Sequence, residues 1–130
     1  MKDITILMSA SGSPSMPGMI DCLKKNGERN IRVIGIDMSE EPSAQYLVDK
    51  FTCEEYIDIV LDICKKECVD IYFPNISAEV TAVSKRKEEF QKIGTIISAS
   101  EQKAVEVANN KLSLYNFLKS KGIKVPRFYG

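Results

Sequence analysis

The chain is 130 residues long, with 18 basic side chains against 18 acidic ones and no histidine. That balance leaves no basic surplus to displace counterions from a polyanion, so nucleic acid is excluded as a main partner. No apolar run reaches membrane-spanning length and the start Met-Lys-Asp-Ile has no signal-peptide core, so one cytoplasmic domain without a membrane partner is expected.

The first element is the apolar run Ile4–Met8. It is nearly continuous rather than alternating, which suits a strand covered on both faces. A loop of small residues follows, in which Ser9, Ser11, Ser13 and Ser15 supply hydroxyls and Gly12 permits close backbone approach. Open α/β sheets bind ligands beyond the carboxyl ends of their strands, which makes this loop the first candidate site. Pro14, Pro17 and the spacing Gly12…Gly18 match neither a dinucleotide fingerprint nor a P-loop. A plain strand-to-helix turn is the alternative. Ser15 is expected to cap a helix with Met16, Met19, Ile20 and Leu23 on its apolar face, ended near Gly27.

Ile31–Asp37 reads as the second strand, and Asp37 at its end is either a ribose-binding acid or an ordinary polar terminus. Ser39–Phe51 reads as a polar connection with a turn or two of helix around Ala44–Val48. Thr52-Cys53-Glu54-Glu55 is a capping box opening a helix with Ile57, Val60, Leu61, Cys64 and Cys68 inward. Val69–Phe73 is the third strand, stopped by Pro74. Asn75-Ile76-Ser77 forms the next turn, with Ser77 as cap and Glu79 in the first helical turn, where the dipole favours an acid. That helix is expected to run through Val80, Val83 and Phe90, with Lys85–Glu89 as a solvated face. Thr95–Ser98 reads as a fourth strand, and Ser100 as the cap of a helix over Glu101–Ala108. After the break at Asn109-Asn110 comes a helix Lys111–Ser120 with Leu114, Phe117 and Leu118 inward. Gly122 ends it, and Ile123–Gly130 is an extended exit.

Alternating strands and helices imply a three-layer, Rossmann-like α/β fold, a parallel sheet of four to five strands with helices on both faces. The four cysteines, Cys22, Cys53, Cys64 and Cys68, lack paired metal-ligand spacing, so free thiols and no metal are expected. Without histidine there is no Ser-His or Cys-His nucleophile pair, and no residue here is read as catalytic. A phosphoacceptor signalling domain would need acids where Ser9-Ala10-Ser11 and Pro74-Asn75 stand. A free-standing Rossmann-type nucleotide or small-ligand binding module is the alternative reading, though it lacks the glycine fingerprint.

Three stretches together resemble the amino-terminal domain of ATP-grasp enzymes, nearest to the large subunit of carbamoyl phosphate synthase and its single-unit relatives. They are Ile4–Gly18 with Val33–Asp37, then Val69-Asp70-Ile71-Tyr72-Phe73-Pro74 with Glu79, and then Asn110-Lys111 followed by Leu118–Pro126. The resemblance implies a pre-ATP-grasp domain over 1–122 and, over 123–130, the start of a linker or strand into a missing ATP-grasp domain. It implies an intact ligase that uses ATP and Mg²⁺ to activate a carboxylate or bicarbonate as an acyl phosphate. The present chain alone would be inactive and bind no cofactor. Lys111 matches the basic residue that approaches the nucleotide phosphates. Ser9, Ser11, Gly12, Ser13, Pro74, Asn75 and Glu79 would line a substrate or interface loop. A small-molecule substrate and the missing domain are the expected partners, with a homo-oligomer left open.

Overall fold

The computed structural model describes residues 3–40, 47–52 and 57–127. Five parallel strands form one sheet: β1 (Ile4–Met8), β2 (Ile31–Ile36), β3 (Lys50–Thr52), β4 (Ile71–Phe73) and β5 (Ile96–Ile97), in the order β3-β2-β1-β4-β5. β1 is the middle strand, with Ile6 opposite Val33 on one side and Ile71 on the other. Its pleat sends alternate side chains into two cores. Ile6 and Met8 join Val33 against Met16 and Ile20 of α1 (Met16–Lys24). Leu7 joins Ile34, Ile36, Tyr72 and Ile97 on the other face. There it meets Val60 and Cys64 of α2 (Ile57–Lys66), Val83 of α3 (Ser77–Ser84) and Phe90 of α4 (Lys87–Lys92). Burial on both faces explains the nearly continuous apolar run of β1 and the apolar Val33–Ile36 end of β2. α5 (Gln102–Asn109) packs on α3, and α6 (Lys111–Ser120) on α5. Among the described residues no helix is long and apolar enough to cross a membrane.

Several local expectations are corrected. β3 begins within the stretch read as a polar connection; of the helix expected around Ala44–Val48, residues 44–46 lie outside those described, while Leu47 and Val48 are turn and bend. Asp49 starts β3 by exchanging bonds with Val33: its amide donates to the Val33 carbonyl, and its Oδ2 accepts the Val33 amide, each at 2.7 Å. Thr52, expected as a helix cap, ends β3 instead, and the rest of the capping box, residues 53–55 with Cys53, lies outside the described residues. The helix expected through Phe90 breaks after Ser84 into α3 and α4. Lys85 and Glu88 of the charged run are exposed, as expected of a solvated face, but Arg86, Lys87 and Glu89 are half-buried and paired. Arg86 forks onto Glu89 (2.7 and 2.8 Å) and reaches Asp58 of α2 (2.7 Å), while Lys87 donates to the Ala99 carbonyl (2.9 Å) and Glu101 (2.7 Å).

None of the three serines caps its helix. Ser15 already has helical backbone angles and makes no cap bond, and Ile76 and Glu101 hold the cap positions of α3 and α5. Asn110 does cap α6, accepting the Ser113 amide at 3.0 Å. Cys68 is exposed beyond the end of α2 with φ +50°, whereas Cys64 is buried and burial pushes its thiol up to about 12. Phe117 is 49% exposed rather than inward, and α6 buries none of its residues.

Candidate functional site

The strand order reverses between β1 and β4, and the crevice at such a reversal, beyond the carboxyl ends of the strands, is where open α/β sheets take ligands. Ser9 is the first residue past β1, and it is buried. Its amide donates to the Phe73 carbonyl at 3.2 Å, which stitches the ends of β1 and β4 together. Asn75 reinforces the stitch: its amide donates to Ser9 Oγ and its Nδ2 to the Ser9 carbonyl, both at 2.9 Å. The same Nδ2 reaches the Phe73 carbonyl at 3.2 Å, and Pro74 between them is buried.

Glu79 meets this junction from the first turn of α3. The Ser9 hydroxyl donates to Glu79 Oε2 and the Tyr72 hydroxyl to Oε1. Tyr72 is fully buried, stacks on Phe90 at 5.8 Å, and its phenol is pushed well above the ordinary range by burial and then by the Glu79 charge. An ionised carboxylate offers about four acceptor positions. Two are taken from within the fold, and Glu79 also lines a cleft, so acceptor capacity remains for a ligand there.

The rest of the first loop is fixed to β2. Ser11 is buried, its amide and hydroxyl both donating to the Ile36 carbonyl (3.2 and 3.3 Å). It lies against Gly35, where an added Cβ would stand 3.2 Å from Ser11 Cβ and 3.0 Å from Val48 Cγ1. Gly12 donates its amide to Asp37 Oδ2 at 2.6 Å, and Asp37 Oδ1 accepts the Ser39 amide at 2.9 Å. Both Asp37 oxygens thus hold the two loops, in competition with any ribose. Ser13 Oγ lies 3.0 Å from Ser15 Oγ, and of the expected loop residues Ser9 and Glu79 line the cleft, whereas Ser11, Gly12, Ser13, Pro74 and Asn75 do not.

The cleft has a volume of ≈ 320 Å³ and is lined by Ser9, Ala10, Ile36, Asp37, Ile76 and Glu79 among others. Among the described residues its charged lining groups are the carboxylates of Asp37 and Glu79, with no lysine or arginine. Sequence reasoning missed Tyr72. The available signal was a tyrosine inside an apolar strand run, because a buried phenol needs a hydrogen-bond partner. Lys111 is exposed at the start of α6, whose first turn holds no acid, and it does not reach the Ser9–Glu79 network. The α5–α6 junction nevertheless sits beside the start of α3, because Asn109 Nδ2 donates to the Ser77 carbonyl (3.2 Å) and to Thr81 Oγ1 (2.7 Å). Among the described residues no group of three acidic or cysteine side chains is placed to hold a metal ion.

Residues 6–98 match the family described as PylC-like, N-terminal domain. No curated protein matches the chain. Among solved structures, N5-carboxyaminoimidazole ribonucleotide synthetase from Thermotoga maritima is similar at 19% identity and TM-score 0.66, over 95% of this chain and 32% of that one. The Staphylococcus aureus N5-carboxyaminoimidazole synthetase complexed with ADP aligns at 18% identity and TM-score 0.68, over 99% and 33%. Glycinamide-RNase-transformylase T from Mycobacterium tuberculosis aligns at 16% identity and TM-score 0.71, over 96% and 38%. These likenesses show a shared fold. The chain spans about a third of the length of the first two structures.

Proposed function

The chain belongs to the PylC-like N-terminal domain family, and from that membership we propose that it is the substrate and interface domain of a larger ATP-grasp ligase. The ligase would activate a carboxylate or bicarbonate with ATP, in the manner of carbamoyl phosphate synthase. The observation that supports the reading best is the Ser9–Asn75–Tyr72–Glu79 network, of which Ser9 and Glu79 line the cleft. A cleft whose lining charges, among the described residues, are carboxylates repels phosphates and accepts hydrogen bonds, so it suits the part of a substrate that carries amino or hydroxyl groups.

The nucleotide would approach elsewhere, at Lys111. A cation in the first turn of a helix is disfavoured by the dipole, and a bound phosphate would reverse that cost. ATP and Mg²⁺ would be clamped by an ATP-grasp domain joined through residues 123–130, with the magnesium ligands supplied from that domain. Phosphoryl transfer depends on such positioning and charge neutralisation. Calorimetry on residues 1–130 tests the division of labour. One exposed lysine–phosphate contact contributes about 1 kcal/mol, whereas a micromolar complex needs about 8. ATP should therefore bind this chain no more tightly than millimolar, with no ATPase activity. A micromolar dissociation constant would favour a self-sufficient nucleotide-binding module instead.

A further inference from the structure

One side chain fastens the α5–α6 junction to the helix that carries Glu79. Asn109 is the last residue of α5, and its Nδ2 donates to the Ser77 carbonyl at 3.2 Å and to the Thr81 hydroxyl at 2.7 Å. Thr81 passes its own proton to the same Ser77 carbonyl at 2.9 Å, which closes a three-member ring of bonds. Ser77 and Thr81 are four apart and share one flank of α3. Glu79, two positions from each, lies about 200° round the helix from Ser77 and so on the opposite flank, lining the cleft. α3 is therefore a wall with the cleft on one side and the Asn109 fastening on the other. The chain leaves that fastening directly into α6, whose direction Asn110 fixes by accepting the Ser113 amide, and Lys111 is its first residue.

We propose that Asn109 is a positioning residue that sets Lys111 at a fixed distance from the α3 turn carrying Glu79, so that nucleotide and substrate contacts keep their relative geometry. The proposal rests on the reading of Lys111 as a phosphate contact. An asparagine suits the role because its amide supplies two N–H donors on a short side chain. Misplacing a charged contact by about 1 Å is enough to cost binding and rate.

The test uses the full-length protein with MgATP as the probe. Its affinity is measured by calorimetry, beside the melting temperature, for Asn109→Ala, Lys111→Ala and the double variant. Lys111→Ala should weaken ATP binding about tenfold and Asn109→Ala about threefold, with the double variant no weaker than Lys111→Ala alone. Asn109→Leu, similar in shape and without donors, should repeat the threefold loss and stands in if the alanine variant does not fold. A purely structural asparagine would lower the melting temperature without this dependence on Lys111. Additive losses overturn the inference, as does unchanged ATP affinity in the Asn109 variants while Lys111→Ala weakens binding. Unchanged affinity in Lys111→Ala overturns the underlying reading and the inference with it.

Discussion

A cysteine occupies the left-handed position that closes α2. The Val69 amide returns to the Cys64 carbonyl (3.0 Å) and the Cys68 amide to that of Lys65 (3.4 Å), the bond pair of a Schellman motif. The same pair closes α4 around Gly94 and α6 around Gly122, with φ +85° and +73°. Cys68, at φ +50°, lacks the freedom of those glycines. Cys68→Gly should therefore raise stability by about 1 kcal/mol in urea titration, because a side chain in this region costs roughly 1–2 kcal/mol and the glycine's extra chain entropy returns part of it. In the native protein a thiol reagent should modify the exposed Cys22 and Cys68 and spare the buried Cys64, whose thiolate burial disfavours, as peptide mass spectrometry would show. At the cleft, Tyr72→Phe keeps the stack on Phe90 and removes one donor to Glu79. A loss of about 1 kcal/mol in stability is expected by chemical denaturation.

At the scale of elements, the edge of the sheet is held by charge. Arg32 of β2 and Lys50 of β3 both pair with Glu67, just past α2, the arginine at 2.6 Å. The bond from Lys50, then that from Arg32, holds the Glu67 carboxyl below its ordinary value of 4.5. A depressed carboxyl contributes stability that is complete above its unfolded value and lost as pH falls through the folded one. Unfolding free energy should therefore decline below pH 4.5, and Glu67→Gln should flatten that decline in urea titrations run across the acid range. These partners also explain what the sequence did not reveal. β1, β2 and β4 were legible because burial on two faces leaves mostly apolar runs, broken in β2 at Arg32. β3 has three residues, and what identifies it is the pairing of Asp49 with Val33 and of Lys50 with Glu67, partners 16 and 17 residues apart in the chain. Arg86 looks the same in sequence whether solvated or bound to Asp58, and Ser77 looks like a cap although extended backbone at Ile76 starts the helix one residue earlier. Of the candidate site, Ser9, Pro74, Asn75 and Glu79 were legible as turn residues after two strands. Tyr72 was not, since its partner is defined only once α3 folds back over β4.

Across the whole molecule, the cleft is a joint product of two distant halves. Ser9 belongs to the first strand-to-helix turn and Glu79 to the one after β4, so no single βαβ unit contains the site. Residues 1–70, which lack β4, should accordingly show no cooperative transition in circular dichroism during denaturation, whereas residues 1–130 should. The central place of β1 also sets a problem of timing on the ribosome. β1 is translated before the other four strands, and β2 soon covers one of its edges, but its other neighbour β4 follows Asp70, whose carboxylate takes the Thr5 amide from 65 residues further on. At an elongation rate of about 5–20 residues per second that interval lasts about 3 to 13 s, during which an apolar strand stands with one edge open. Every newly made copy must pass through this sticky, half-paired state, so slow codons between the segments encoding β2 and β4 should lower soluble yield while leaving the finished protein as stable as before.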